Sequence, residues 1–215
     1  MIGCTKQKVQ TVAQKTVQDS ALVEDKISYI NAENSHHKYL FYKIHPSLPR
    51  FRFDLYADSM FTVVDSINIS KESDSSKIQT IISELHDQPF IDFQDYNFDE
   101  YEDIVLACCH GTHGNMEYNI WLYDTLACKF KINRELSSLV NPDVNYENET
   151  ITSSWNGGIY FYSYATYKLI DGHLILIAEK AESPNVNTNL AVKIESRLQN
   201  GKMDTVKIDT IKIIE

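Results

Sequence analysis

Apolar and polar residues alternate with a period of two along much of the chain. From Arg50 onward, Phe51, Phe53 and Leu55 alternate with Arg52, Asp54 and Tyr56, as in a strand that buries one face. Upstream, Lys38-Tyr39-Leu40-Phe41-Tyr42-Lys43-Ile44 reads as a strand that stops at Pro46. Met60 to Ile69 carries Phe61, Val63, Val64, Ile67 and Ile69, so these runs predict a meander. Ile104 to Cys109 and Tyr118 to Tyr123 are strands on either side of a connection, His110 to Asn115, that carries glycines. Lys129 to Ile132 is a brief strand, and Asn133 to Leu139 has room for one helical turn. Glu149 to Trp155 alternates, Asn156-Gly157-Gly158 breaks the pattern, and Ile159 to Ile170 forms a long aromatic run.

Turn chemistry punctuates these runs. Asp171-Gly172 and Asn200-Gly201 both tolerate the positive φ angles of a type I′ turn and predict two-residue hairpins. The second joins Leu190–Ile194 to Thr205–Ile208. Asp204 to Ile208 and Asp209 to Ile213 are near copies whose apolar phase slips by one residue, which predicts a β-bulge near Asp209 if they form one strand. Ile78 to Leu85 stays open. Its apolar spacing fits a helix face and its setting fits a strand, and Pro89 ends either version. The pattern predicts an all-β protein: an antiparallel meander of short strands with at most one or two short helices. Residues 36–215 form a single all-β domain in this reading, and 1–35 a polar leader and flexible tether with a surface helix over 8–19 as its alternative.

Composition narrows the partners. The chain has 215 residues, of which 43% are hydrophobic, enough for a sizeable core without disulfides. Its net charge of −10 repels nucleic acid phosphates and favours a basic protein or a cation. No apolar run approaches the roughly 18 to 20 residues that cross a bilayer. Met1-Ile2-Gly3-Cys4, followed by polar residues, looks like the end of a bacterial lipoprotein signal, with Cys4 as the lipidated residue. In that reading the only membrane contact is the lipid anchor, and the setting is the cell envelope, periplasmic or at the outer membrane.

Asp95 to Asp103 is a D-x-N-x-D-x-x-x-D run. Side-chain oxygens at Asp95, Asn97, Asp99 and Asp103, with the carbonyl of Tyr101, suit Ca²⁺, a hard cation that takes about six to eight oxygens. Six carboxylates fall within twelve residues from Asp92 to Asp103 with no base among them, so an ion would relieve their repulsion. The loop is not an EF-hand, because Leu106 stands where a bidentate Glu is required. Glu100 stands where the bend favours glycine, which costs about 1 kcal/mol if φ is positive. The alternative is an acidic solvated turn held by Asx-type hydrogen bonds.

Two further groups stand out. Cys108 and Cys109 sit together, and a disulfide from one of them to Cys128, with Cys109–Cys128 the candidate pair, suits an oxidising compartment; a transition metal on Cys108, Cys109, His110, His113 and Cys128 matches no zinc spacing. Tyr160, Tyr162 and Tyr164 share a strand face beside Trp155 and Asn156. Core packing is the simpler account of them, with sugar stacking or a protein hot spot as the functional one. No nucleophile elbow, zinc-protease helix, phosphate-cradling glycine loop or C-x-x-C occurs. The reading is therefore a binding protein and not an enzyme, with a carboxylate-pair hydrolase as the residual alternative.

The order of features from Asp92 to about Glu179 resembles a known bacterial family. It comprises the Asp95–Ile104 loop, Tyr118-Asn119-Ile120-Trp121-Leu122-Tyr123-Asp124, Ser153-Ser154-Trp155-Asn156-Gly157-Gly158, a Tyr-rich strand and Asp171-Gly172-His173-Leu174. This looks like the periplasmic lipoprotein immunity proteins, related to FG-GAP and integrin-type calcium blades, that inhibit lysozyme-like peptidoglycan hydrolases delivered by rival cells. The resemblance covers somewhat under half of the chain. It implies a β-propeller-like fold, a calcium loop, and a basic cell-wall hydrolase as partner. Glu100 departs from the family's glycine. The alternative function is a surface lipoprotein that binds glycan through the Trp155–Tyr164 region.

Overall fold

The computed structural model describes residues 30–31, 36–58, 63–82, 91–159, 161–185 and 188–212. Among these residues fifteen strands form three antiparallel sheets, and in each the strand order follows the sequence. The first holds β1 (Ile30–Asn31), β2 (His37–Tyr42), β3 (Phe51–Ala57), β4 (Val64–Lys71) and β5 (Lys77–Ile82). The second holds β6 (Ile91–Gln94), β7 (Asp103–His110), β8 (Met116–Asp124) and β9 (Lys129–Ile132). The third holds β10 (Asp143–Asn145), β11 (Thr150–Asn156), β12 (Tyr162–Ile170), β13 (His173–Asn185), β14 (Leu190–Gln199) and β15 (Lys202–Lys212). Two 3-10 turns, Thr112–Gly114 and Leu136–Ser138, complete the described structure. The protein is all-β and antiparallel, as the alternation predicts. Among the described residues the three meanders close neither a barrel nor a propeller ring.

The second sheet is the middle layer, and the sequence of β7 shows why. Ile104 and Leu106 point to one side, where they join Phe53, Leu55, Ile67 and Ile69 of the first sheet and Trp121, Tyr123 and Phe130 of their own. Val105 points the other way, into a second cluster with Tyr96, Ile120, Leu136, Val144 and Ile151. A strand buried on both faces reads as a continuous apolar run, which is what Ile104-Val105-Leu106-Ala107 is. In β3 the alternation predicted from Phe51, Phe53 and Leu55 holds, with all three buried. Asp54, on the opposite face of β3, is nearly buried, and Arg52 and His37 both bind its carboxylate.

The Ile78–Leu85 ambiguity resolves as strand over its described part. β5 pairs antiparallel with β4, Ile81 opposite Ile67 and Ile82 opposite Ser66, and the two neighbours face opposite sides, Ile81 3% and Ile82 75% exposed. Ile30 and Asn31 pair with Tyr39 and Lys38, so ordered pairing begins inside the stretch expected to be a tether. Both hairpins form where predicted, with positive φ at Asp171, Gly172, Asn200 and Gly201. The bulge of β15 lies at Val206, not near Asp209, because Glu195 pairs with Lys207 and Ser196 with Thr205. No described helix is long and apolar enough to cross a membrane.

Candidate functional site

The acidic loop connects β6 to β7, and backbone donors decide its geometry. Asp95 accepts hydrogen bonds from the N–H groups of Asp99 (3.2 Å) and Glu100 (2.9 Å). Asp99 accepts from the Tyr101 N–H at 3.0 Å and from the Asn97 side-chain amide at 2.9 Å. Phe98 and Glu100 adopt φ of 61° and 71°, so the bend expected at Glu100 is real and a non-glycine residue carries it. Burial is the main cause of the raised pKa of Asp95, opposed by those N–H donors. Glu102 is likewise raised by burial, and the Tyr42 hydroxyl donates to it.

Asp103 turns inward. It is fully buried, accepting the Tyr96 N–H on one oxygen and the Tyr123 N–H on the other, both at 2.9 Å. One carboxylate thereby ties the loop to β8 across the middle sheet. Burial pushes its pKa up to about 8 against the pull of the two N–H groups.

These observations bear on the calcium expectation from both sides. Asn97 Oδ1 is buried with no hydrogen-bond partner, an oxygen that a cation would satisfy. Yet among the described residues no three His, Cys, Asp or Glu side chains gather into a metal-holding group. The carboxylates of Asp95, Asp99 and Asp103 are each engaged by donors of the fold itself. Asp95, Asn97, Asp99 and the Tyr101 carbonyl are the groups that would hold an ion, and Asp103 serves first as a staple.

The aromatic surface is built where β11 passes into β12. Asn115, from the connection between β7 and β8, clamps Asn156 through two hydrogen bonds, its amide donating to the Asn156 carbonyl (2.7 Å) and its oxygen accepting the Asn156 N–H (2.8 Å). Beyond the clamp, Trp155 and Phe161 meet edge to face with centroids 5.4 Å apart. Gly157 lies between them. A Cβ there would fall 2.4 Å from the Phe161 ring and 2.5 Å from that of Trp155, so only glycine fits the wedge.

Tyr162 and Tyr164 are 40% and 43% exposed, and Trp155 is 39% exposed. This corrects the core-packing account of these tyrosines, because nothing covers their half of the third sheet among the described residues. Tyr160 and Cys4 lie outside the described residues. Trp155, Tyr162 and Tyr164, with Lys180, Lys193 and Glu195, line a cleft of about 600 Å³. Beneath it Glu182, 5% exposed, accepts the Tyr162 hydroxyl at 2.7 Å and pairs with Lys193 at 3.3 Å. The hydrogen bond to Glu182 is the main cause of the raised Tyr162 pKa.

Sequence reasoning missed Phe161, Glu182, Lys193 and Asn115. A Tyr, Glu and Lys at facing positions of three strands become visible only once the register is known. The cysteines also depart from expectation. Cys108, Cys109 and Cys128 are all free. Cys109 faces Glu117 near the start of β8, and Cys128 sits in the turn beyond Asp124 at its other end. Seven residues of strand separate those ends, roughly 24 Å, so a Cys109–Cys128 disulfide has no geometry to form. Cys108 is instead the bulged residue of β7, which brings its sulfur to 3.6 Å from that of Cys109.

No protein-family model matches the chain, nor does any curated protein sequence. Among solved structures, one titled as a Xanthomonas type IV secretion system related protein is similar in fold, with a TM-score of 0.59. The likeness covers 84% of this chain and 98% of that one at 18% sequence identity.

Proposed function

We propose that this protein is an envelope-anchored binding protein that inhibits a lysozyme-like peptidoglycan hydrolase, held at the membrane through Cys4. The observation that carries the reading is the exposed aromatic cleft of Trp155, Tyr162 and Tyr164, rigidly mounted by the Asn115–Asn156 clamp and the Gly157 wedge. Large aromatics held in place and left open to solvent are what protein hot spots are made of. The order of motifs from Asp92 to Glu179 supports the same reading, as does the fold likeness to a secretion-system-related protein. The acid excess does not lie in the cleft, where Lys180 and Lys193 offset Glu182 and Glu195. It lies in part on the Asp95–Glu100 loop, which would speed encounter with a basic enzyme.

The test is direct. Mixed with a panel of lysozyme-type hydrolases, the protein should form a complex with at least one and inhibit it. Trp155→Ala should weaken that complex about tenfold or more while leaving the melting temperature in place. No complex and no inhibition across the panel overturns the reading. A second reading, glycan binding in the same cleft, is favoured by the pairing of aromatic rings with the Asn156 amide, and binding on a glycan array in the presence of Ca²⁺ would support it.

Ca²⁺ in the Asp95–Asp103 loop belongs to this proposal, supported by the orphan oxygen of Asn97. An ion bound only by the folded state would raise the melting temperature, and equal melting in excess Ca²⁺ and in chelator overturns it.

A further inference from the structure

The edge of the third sheet at β15 carries a pattern that no element among the described residues completes. β15 ends the strand order and pairs with β14 alone, so among the described residues no strand binds the backbone groups along its outer side. Such edges pair with other chains unless something covers them. The hairpin also exposes an aliphatic strip. Ile194 and Leu198 share a face of β14 and sit opposite Ile208 and Met203 of β15, all at least 36% exposed and none part of either core.

The opposite face is more informative. Register places Glu182, Lys193 and Asp209 in one row across β13, β14 and β15, and Lys180, Glu195 and Lys207 in the row beside it. Each row alternates in sign. At the free edge one ends on the carboxylate of Asp209 and the other on the ammonium of Lys207, which pair with each other at 2.7 Å.

We propose that the occupant of this edge is a second copy of the chain, joined antiparallel about a two-fold axis at Ile208. That register sets Lys207 opposite Asp209 of the second copy, and Asp209 opposite Lys207. Each row then continues its alternation into the other copy, as Glu182, Lys193, Asp209, then Lys207, Glu195 and Lys180 of the second copy. On the other face, Ile208 meets Ile208 of the second copy and the aliphatic strip becomes continuous between Ile194 residues. The charged pairs use only residues C-terminal to the Val206 bulge, where β15 is regular. A two-fold interface must be complementary to itself, and this edge is. Charged residues on an edge strand also serve to block pairing, in which case the chain is a monomer.

Sedimentation equilibrium of the full chain over a wide concentration range distinguishes these outcomes. The wild-type protein should dimerise. Lys207→Asp leaves carboxylates at both positions 207 and 209 and Asp209→Lys leaves ammonium groups at both, so each alone should dimerise about tenfold more weakly or worse, because like charges face each other twice. Mixing the two variants should restore association, since the acidic edge then faces the basic one. Ile208→Lys should abolish the dimer. Circular dichroism and melting of each variant confirm that it is folded. A wild-type chain that stays monomeric up to its solubility limit overturns the proposal, as do single variants that associate like wild type, or a mixture that associates no better than its components.

Discussion

The middle sheet and the outer half of the third sheet are made of similar strands and put to opposite uses. In β7, residues Ile104 to Ala107 are buried on both faces, locked between two hydrophobic clusters. In β14 and β15, Ala191 is buried while Ile194, Leu198, Met203 and Ile208 remain more than a third exposed. Alternation and turn chemistry are enough to make a strand in both places. Among the described residues only the first is covered, and covering is what converts a strand into stability.

Five substitutions test this contrast. Phe53 is fully buried against Phe51, Phe93 and Phe130, so Phe53→Ala should lower unfolding free energy by about 3–5 kcal/mol. Tyr164→Ala should cost less than about 1 kcal/mol in the same denaturant titration, and equal costs would erase the distinction between the regions. Asp103→Ala leaves the Tyr96 and Tyr123 N–H groups buried and unmatched, with an expected loss of about 2–4 kcal/mol. That loss would show that a polar staple, and not only apolar packing, holds the middle sheet.

Glu100→Gly relieves a positive φ and should stabilise by about 0.5–1 kcal/mol. A loss at this position would mean that the Glu100 side chain does something its backbone angle does not reveal. The smallest effect is at Glu135, whose carboxylate accepts the Leu174 N–H at 2.7 Å and meets His173 at 2.8 Å. The hydrogen bond to Glu135 is the first cause of the raised His173 pKa, and His173 the first cause of the lowered Glu135 pKa. The imidazole's contribution is complete below its unfolded pKa and lost as pH rises through the raised folded value. The carboxylate's is present above its unfolded pKa and lost as pH falls through the depressed one. The pair is therefore intact between the ordinary values of 4.5 and 6.5. An NMR titration should place His173 above the ordinary value, and Glu135→Gln should return it downward.

Much of the architecture was legible because it is local. Period-2 alternation located β3 and β11, continuous apolar runs located β7 and β8, and Asp-Gly and Asn-Gly located their hairpins, since all of these depend on residues close in sequence. The sites were legible only as chemistry. Alternation shows that Tyr162 and Tyr164 share a face, but whether that face is covered depends on where the other sheets end. The Asp95–Asp103 spacing gave the bend, yet the inward turn of Asp103 depends on the Tyr123 N–H, twenty residues away. The expected cysteine pairing failed for a related reason, because spacing along the chain does not reveal that β8 runs its full length between the two thiols.

The strand order has a kinetic consequence. In all three sheets every strand pairs with its neighbours in sequence, with no crossover. The loops to be closed are short and their entropic cost grows only slowly with length. Low separation between paired residues is what speeds the folding of β proteins, which are otherwise slow because their contacts are distant. Each hairpin of this chain can therefore zip onto its neighbour in sequence, wherever folding begins, without first closing a long loop.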